Sequence, residues 1–428
     1  MINPHADAAV RADRAVDHDR LQARIATLAT YGGREDGGVS RETLTDVDRA
    51  ARRYLVDEAL SLGCEVAIDD CANLYFRRAG TEDLPPVVTG SHIDTQPIGG
   101  KLDGAYGVVG GLEAIAALND AGIRTRHPIE VVAWTNEEGC RFGPGAMGSS
   151  AFVEPAGLAG FRQSEDGRGV RFGDALDRTL SEARDLAHRP LARPLAAYVE
   201  LHIEQGPVLE QAGLPLGVVT GIQGVRWYRV TCTGQAAHAG TTPMDRRADA
   251  MLAAMDLARQ LHAQAGEAAD TPRVTLGRWL VEPNSVNTIA GKVTFTVDAR
   301  CPDEGALEHF EAFLEAAARD LGWRGTVEVE NVFRKSPTIF PADLVELIGR
   351  SCDAVSAAAG HPAARRLSSG AFHDAMYLAQ HCPSAMIFVP SKDGISHNAA
   401  EATDPVALTL GARALAHALT VLGQGTRP

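Results

Sequence analysis

The chain lacks a long apolar run, a paired-cysteine motif, a surplus of basic residues and a phosphate-binding glycine loop. No stretch approaches the roughly 20 apolar residues of a membrane span, so no membrane association is expected. The seven cysteines (Cys64, Cys71, Cys140, Cys232, Cys301, Cys352 and Cys382) are odd in number and scattered, and none falls in a CxxC pair. That argues against a disulfide framework and against a thiolate zinc site, and makes a reducing cytoplasm the expected compartment. With 41 basic against 55 acidic residues the net charge is -14. Nothing here neutralises a phosphate backbone, which excludes nucleic acid as a partner. A small anionic substrate is not excluded, because one buried arginine dominates a pocket locally. No GxGxxG turn or GxxxxGKS/T loop stands directly at the end of a strand pattern, which argues against an NAD or ATP enzyme. The N-terminus, MINPHADAAVRADRAVDHDR, has no apolar centre and is not a secretory signal. Its first dozen or so residues read as a frayed tail leading into a helix. Internal repeats and low-complexity linkers are also missing.

What is present is a globular composition, 45% apolar over 428 residues. That length is too great for one ordinary core and predicts two domains. The first half alternates strand and helix patterns. Pro86 to Thr89 is a short buried-strand signal that ends at Gly90-Ser91-His92. Val108, Val109, Leu112, Ile115 and Leu118 follow at helical spacing. Ile129 to Trp134 is a second strand, leading to Glu137-Glu138, and Ala197 to Leu201 a third, ending at His202. The character changes near Gly213. Val218 to Thr233 reads as β-structure, with Val225, Trp227, Tyr228, Val230 and Cys232 available to one sheet. An amphipathic helix over 248–265 has Met251, Leu252, Met255, Leu257 and Leu261 as its apolar members, and Met244, Met251 and Met255 are read as lid packing. Strands over 274–281 and 292–297, a helix over 303–321 and a strand over 326–332 complete a βαββαβ order, which resembles a ferredoxin-like unit. Alternation then resumes: helices over 342–359 and near 373–380, a strand over 385–389 and a C-terminal helix after Pro405. The expected domains are therefore 1–212 with 333–428, interrupted by 213–332.

The chemistry sits in four phrases, GSHIDTQPIGGKLDG, WTNEEGCRFGPGAMGS, ELHIEQGP and DGISHNAAE. They bring His92, Asp94, Asp103, Glu137, Glu138, His202 and His397 to strand ends or turns. In open α/β sheets ligands gather at the carboxyl ends of strands. Two divalent ions a few ångströms apart need a bridging carboxylate, terminal ligands and open positions for water and substrate. His92 reads as a ligand and Asp94 as the acceptor for its other imidazole N–H. Asp103, after a glycine turn, is the natural bridge, while His202 and His397 complete one ion each. Of Glu137 and Glu138, one ligates and its neighbour accepts a proton from the activated water. Taken singly, a histidine at a strand end or an acidic pair is ordinary; four such phrases in order point to a metal-dependent hydrolase.

These phrases resemble the amidase/hydantoinase/carbamoylase branch of the zinc aminopeptidase and carboxypeptidase clan, from about Gly32 to the C-terminal helix. That branch holds N-carbamoyl-L-amino-acid hydrolases, allantoate amidohydrolases and β-ureidopropionases. The resemblance implies an α/β fold: a mixed-sheet, zinc-peptidase-like catalytic domain with an inserted ferredoxin-like lid and dimerisation domain. It also implies that His92, Asp103 and His202 hold one metal, that Asp103, Glu138 and His397 hold the other, and that Glu137 is the general base. His202 is the discriminating position, since peptidases of the clan commonly place an acid there. Histidines and carboxylates without thiolate admit zinc, manganese, cobalt or nickel.

The inserted block carries a second polar set. Arg300 offers a planar fork for the carboxylate of an N-carbamoyl amino acid. His238 and Asn287 are candidate donors to the oxyanion of a tetrahedral intermediate. Gln205, beside His202, and the backbone N–H of Gly370 are further candidate substrate contacts. Arg226, beside Trp227, either covers that ring or fixes the lid strand, and stands outside the candidate site. One departure stands out: several family members resemble GAGHDA, whereas this chain reads GAFHDA, and a phenylalanine at 372 either narrows the pocket or changes the backbone approach near the substrate. The expected reaction is hydrolysis of the ureido C–N bond of an N-carbamoyl-L-amino acid, giving amino acid, carbon dioxide and ammonia. Allantoate and N-carbamoyl-β-alanine are the rival substrates. A peptidase of the clan fits less well because of His202, and a non-catalytic metal-binding protein because no ligand or base is missing.

Overall fold

The computed structural model describes residues 4–266, 268 and 271–425. It forms two units, one running up to Thr220 and resuming at Phe340, the other spanning Gly221–Ile339. Both breaks fall later in the chain than the expected changes at 212/213 and 332/333. The strand Gly217–Ile222 explains the first difference: it pairs antiparallel with Ser384–Val389 in the large sheet, not with the inserted sheet. The second arises because Thr326–Lys335 runs on past Val332.

The large sheet is mixed. At its centre four parallel strands lie in the order Ser384–Val389, Ala197–Ile203, Val87–His92 and Ile129–Trp134. Leu74–Arg78 and Glu65–Ile68 extend it antiparallel beyond Ile129–Trp134. Every residue of the four central strands is buried. A parallel sheet covered on both faces demands this, and it is why VVTGSH and SAMIFV show no alternation of apolar and polar residues. The helices Ala105–Asp120 and Pro405–Gly423 pack on each other and on the central strands. The second starts at Pro405 behind an Asp404 N-cap, whose carboxylate accepts the Val406 N–H at 2.7 Å.

Two expectations need correction here. Of the residues expected to fray, 1–3 lie outside the described residues and the rest belong to the helix Pro4–Arg14, which packs on Pro405–Gly423 and is pinned by a 2.7 Å Asp13–Arg413 ion pair. And one segment does have the length and apolarity of a membrane span. It is Pro405–Gly423, 19 residues with mean hydropathy 1.5, but 67% of that window is buried within the protein. A core helix packed all round has that composition.

The second unit is a four-stranded antiparallel sheet in the order Arg273–Glu282, Lys292–Cys301, Gly224–Thr233 and Thr326–Lys335. Helices Ala250–His262 and Glu304–Arg319 connect its strands in the βαββαβ order. Val230, Cys232, Val293, Phe295 and Val297 alternate inward and form its core with Leu257, Leu261, Leu307 and Leu314. Met244, Leu252 and Met255 do not pack into it: they are 71%, 56% and 52% exposed. Leu252 and Met255 fall off the apolar stripe that Ala250, Ala254, Leu257 and Leu261 already fill.

Candidate metal centre and active site

The parallel strands deliver the site. His92 ends its strand, His202 is next to last in its own, and Glu137-Glu138 follow Trp134. His397 lies in the loop beyond Ser384–Val389. Asp103 stands between the histidines, just before the helix Ala105–Asp120. Its Oδ1 lies 3.3 Å from His202 Nε2 and 3.9 Å from His92 Nε2, and its Oδ2 lies 3.1 Å from His397 Nε2. His397 Nε2 is also 3.6 Å from Glu138 Oε2, and His92 Nε2 is 3.5 Å from Glu137 Oε2. Ligand atoms of His92, Asp103 and His202 form one group within 4.8 Å, and those of Asp103, Glu138 and His397 form another. The two groups share Asp103, one oxygen each.

Backbone geometry makes this crowding possible. Gly104 adopts φ 62°, and a Cβ there would sit 2.3 Å from the His92 ring. Only glycine passes the chain so close to that imidazole. Asn136, Gln205 and His397 also adopt positive φ, 58°, 57° and 52°. Such backbone clusters at sites whose surroundings over-determine it.

The ring nitrogens are set by their other partners. His92 Nδ1 donates to the backbone carbonyl of Asp94 at 2.9 Å, which leaves Nε2 bare toward Asp103. The expectation that the Asp94 carboxylate accepts this proton is therefore corrected, since its Oδ1 lies 3.8 Å away. That carboxylate instead accepts the backbone N–H groups of Glu137 and Glu138, both at 3.2 Å. His202 Nδ1 donates to Ile203 O at 2.9 Å. Its Nε2 is contested: Asp103 favours a proton there, while the Gly104 N–H, at 3.1 Å, favours the bare lone pair that a metal would take.

Electrostatics favour a cation. Burial pushes Glu137 well above the usual carboxylate range, and repulsion from Asp374, Glu138, Asp103 and Asp94 adds to it. Burial and the Asp103 charge push Glu138 up to about 8. Burial lowers His92 to about 4, so its imidazole is neutral and free to ligate. Asp103, although burial opposes it, is held well below its ordinary value by His202 and His397. His397, hydrogen-bonded to Asp103, is raised to about 9. Buried like charges of this kind are stabilised by divalent ions, and the oxygen and imidazole donors fit them.

The remaining predicted residues divide between the units. Gln205 Nε2 donates to Asp103 Oδ2 at 3.0 Å, and its Oε1 is buried without a partner. Gly370 is exposed in the bend after Arg365–Ser369. Phe372 meets Tyr377 edge-to-face at 5.9 Å. On the second unit, His238 is exposed in a short ribbon, paired with Thr288. Its Nδ1 accepts the Gly240 and Thr241 N–H groups at 3.1 and 3.2 Å, which places the ring proton on Nε2. Asn287 Oδ1 accepts the Ser285 hydroxyl at 2.9 Å. The Arg300 fork is engaged by Asp298 on the same strand face, at 3.0–3.2 Å.

Four residues at the centre had been assigned no role. Glu200 accepts Ser91 Oγ–H at 2.7 Å and the Ala375 N–H at 2.9 Å. His373 packs edge-on against His202 at 4.6 Å, and Asp374 is fully buried beside Glu137 and Glu200. Glu401 accepts the backbone N–H groups of Leu102 and Asp103. The signals were available: Glu200 is two places from His202 on the same strand face, and the other three lie inside GAFHDA and DGISHNAAE.

A buried carboxylate shared by two histidine-and-acid groups, with a further acid beside them, defines a hydrolase of the divalent-metal class. Comparison with known proteins narrows this. Residues 88–421 match the family model described as Peptidase family M20/M25/M40. The chain is 39% identical over 415 residues to an N-carbamoyl-L-amino-acid amidohydrolase of Rhizobium meliloti, covering 96% of this chain and 98% of that one. It is 34% identical to an allantoate amidohydrolase of Bacillus subtilis, covering 91% and 94%. Among solved structures, a hydantoinase/carbamoylase family amidase from Burkholderia multivorans superposes with a TM-score of 0.88 at 43% identity, covering 96% and 98%. The chain belongs to peptidase family M20/M25/M40, in its hydantoinase/carbamoylase branch.

Proposed function

We propose that this chain hydrolyses the ureido C–N bond of an N-carbamoyl-L-amino acid, using two divalent ions, zinc or manganese in the first instance. His92, Asp103 and His202 would hold one ion, and Asp103, Glu138 and His397 the other. When bound, the ions supply Lewis acidity to the carbamoyl carbonyl and to an attacking water. Glu137 takes the proton of that water as the new C–O bond forms, then delivers it to the departing nitrogen as the C–N bond breaks. The carbamic acid left by that cleavage decomposes to carbon dioxide and the second amine, so the products are the amino acid, carbon dioxide and ammonia. On the inserted unit, His238 Nε2–H and the Asn287 amide are the donors we assign to an oxyanion and Arg300, now engaged by Asp298, the fork we assign to a carboxylate; on the first unit, Gly370 is the assigned carboxylate contact.

The observation that carries the ureido reading is Gln205. Asp103 fixes its amide with nitrogen toward the carboxylate, so a buried, unpartnered Oε1 remains as an acceptor in the site. A ureido group brings N–H donors to satisfy it; an unpaired buried acceptor costs about 1–3 kcal/mol. Allantoate, which also carries ureido groups and a carboxylate, is the second reading, favoured by the Bacillus subtilis relative. N-carbamoyl-β-alanine is tested alongside it.

We place the enzyme in the cytoplasm, where its seven free cysteines fit a reducing environment. We also propose a homodimer formed through the inserted unit. Its edge strand Arg273–Glu282, with Leu280 55% exposed, and the uncovered Leu252 and Met255 support this.

The test is ammonia release by metal-stripped protein, with and without added Mn²⁺ or Zn²⁺, on N-carbamoyl-L-amino acids, N-carbamoyl-β-alanine, allantoate and a dipeptide. Metal-dependent turnover of an N-carbamoyl-L-amino acid supports the reading, and turnover of allantoate alone moves it to the second. Glu137→Gln should bind metal normally yet lose nearly all turnover; retained turnover sinks the role of Glu137.

A further inference from the structure

Glu401 is only 4% exposed and has no place in the ligand set. Its Oε1 accepts the Leu102 N–H at 2.8 Å and the Asp103 N–H at 3.1 Å, and its Oε2 accepts the Ser396 hydroxyl at 2.9 Å. It therefore ties the turn that carries Asp103 to the loop that carries His397. The turn is shaped to receive it: a Cβ on Gly100 would stand 2.0 Å from Glu401 Oε1. All its partners are donors, as an ionised buried carboxylate requires.

Ser396 has a single hydroxyl proton and two carboxylates within reach, Glu401 Oε2 at 2.9 Å and Asp103 Oδ2 at 3.2 Å. While Glu401 takes that proton, Ser396 Oγ is free to accept Gln205 Nε2–H at 3.2 Å. The result is a directed chain, Gln205 to Ser396 to Glu401, in which each bond polarises the next. Asp103 Oδ2 is then left to Gln205 and to the ion it would share with His397.

We propose that Glu401 is a positioning residue that keeps the Ser396 proton off Asp103 Oδ2. By doing so it sets the affinity for the second metal ion and the orientation of Gln205. This rests on the two-metal reading above. In Glu401→Gln, the carbonyl oxygen still accepts the two backbone N–H groups, but the NH₂ now faces Ser396. The Ser396 proton turns to Asp103 Oδ2 and competes with the second ion.

The experiment is calorimetric titration of the metal-stripped full chain with Zn²⁺ or Mn²⁺, with a thermal melt as control. Wild type is expected to take up two equivalents. Glu401→Gln should bind the second about 10–100-fold more weakly, the range for groups that orient ligands, and the first within about threefold. Adding Ser396→Ala to Glu401→Gln removes the misdirected proton and should restore most of the lost affinity, which a merely structural role for Glu401 would not produce. Should Glu401→Gln fail to fold, Ser396→Ala alone decides the matter. It should keep both metal affinities and raise KM without lowering kcat, because Gln205 loses a partner. A wild type that takes up fewer than two equivalents overturns the two-metal reading and this inference with it. Two equivalents in wild type, with an unchanged second equivalent in Glu401→Gln, no recovery in the double variant or a metal loss in Ser396→Ala, overturns this inference alone.

Discussion

Asp94→Asn separates two roles that the same residue performs with different atoms. The carbonyl of Asp94 holds the His92 imidazole, and the carboxylate holds the backbone of Glu137 and Glu138. Asparagine keeps the carbonyl untouched and keeps one side-chain acceptor, but it turns an NH₂ toward a second buried N–H. Losing that bond and leaving the N–H unpaired costs about 1–3 kcal/mol, and replacing the remaining charged acceptor by a neutral one adds about 1 kcal/mol. The turn that absorbs this is already held at positive φ at Asn136 and Gly139. A shift of the Glu137 carboxylate by ~1 Å is worth about a hundredfold in rate. The variant is therefore expected to melt earlier and to lose about a hundredfold in kcat. The His92, Asp103 and His202 group should still bind its metal within a few-fold of wild type. Steady-state kinetics, metal titration and a thermal melt on one preparation measure all three. If metal at the His92 group is lost in step with activity, and activity per bound metal stays normal, the carboxylate acts through the imidazole and the reasoning fails.

Gly104→Ala should be more damaging. The φ of 62° is strained for any L side chain, at about 1–3 kcal/mol, and the new Cβ would meet a buried His92 ring that is pinned on its far side. Elemental analysis should find metal depleted at the His92 group, and a fully loaded variant would refute this. Affinity for metal should rise with pH toward about 9. Asp103 raises His397 to about 9 from 6.5, so the metal-free chain holds a proton there at neutral pH that binding must expel. The same pair stabilises the metal-free fold below pH 6.5, and that contribution is lost as pH rises through about 9. Calorimetry in buffers of different ionisation enthalpy should show proton release on metal binding; its absence at pH 7 refutes the assignment. Phe372→Gly should open the wall beside Tyr377 and raise kcat/KM for bulkier ureido substrates relative to smaller ones by about tenfold, a typical worth for one pocket group. An unchanged ratio across the panel shows that the ring does not line the pocket.

The parts legible from sequence are those written into short stretches of chain. Runs such as VVTGSH and AYVELHI specify strands buried on both faces, and an imidazole at the end of such a run must emerge where the other parallel strands end. That is why four separated phrases pointed to one place. The helix Pro4–Arg14 was not legible, because its buried face is the alanines Ala8, Ala9 and Ala12, which become apolar surface worth burying only once the C-terminal helix lies against them. The first domain break was misplaced for a related reason: Val218 to Thr233 reads as one β-run, and only strand pairing assigns its start to the large sheet.

Hydrogen-bond partners were the least legible, and Asp94 and Glu401 show why. Asp94 carries two kinds of acceptor within reach of two kinds of donor. Which one takes the imidazole proton depends on where the Glu137 backbone passes, and residue spacing does not encode that path. Glu401 meets the Leu102 N–H across a separation of 299 residues. Its phrase announces a loop, but its contacts exist only where that loop closes on the Asp103 turn. Donor type is thus a local property of this chain, set by side-chain type and strand end. The partner of each proton is a tertiary one, set by which buried acceptor reaches it first.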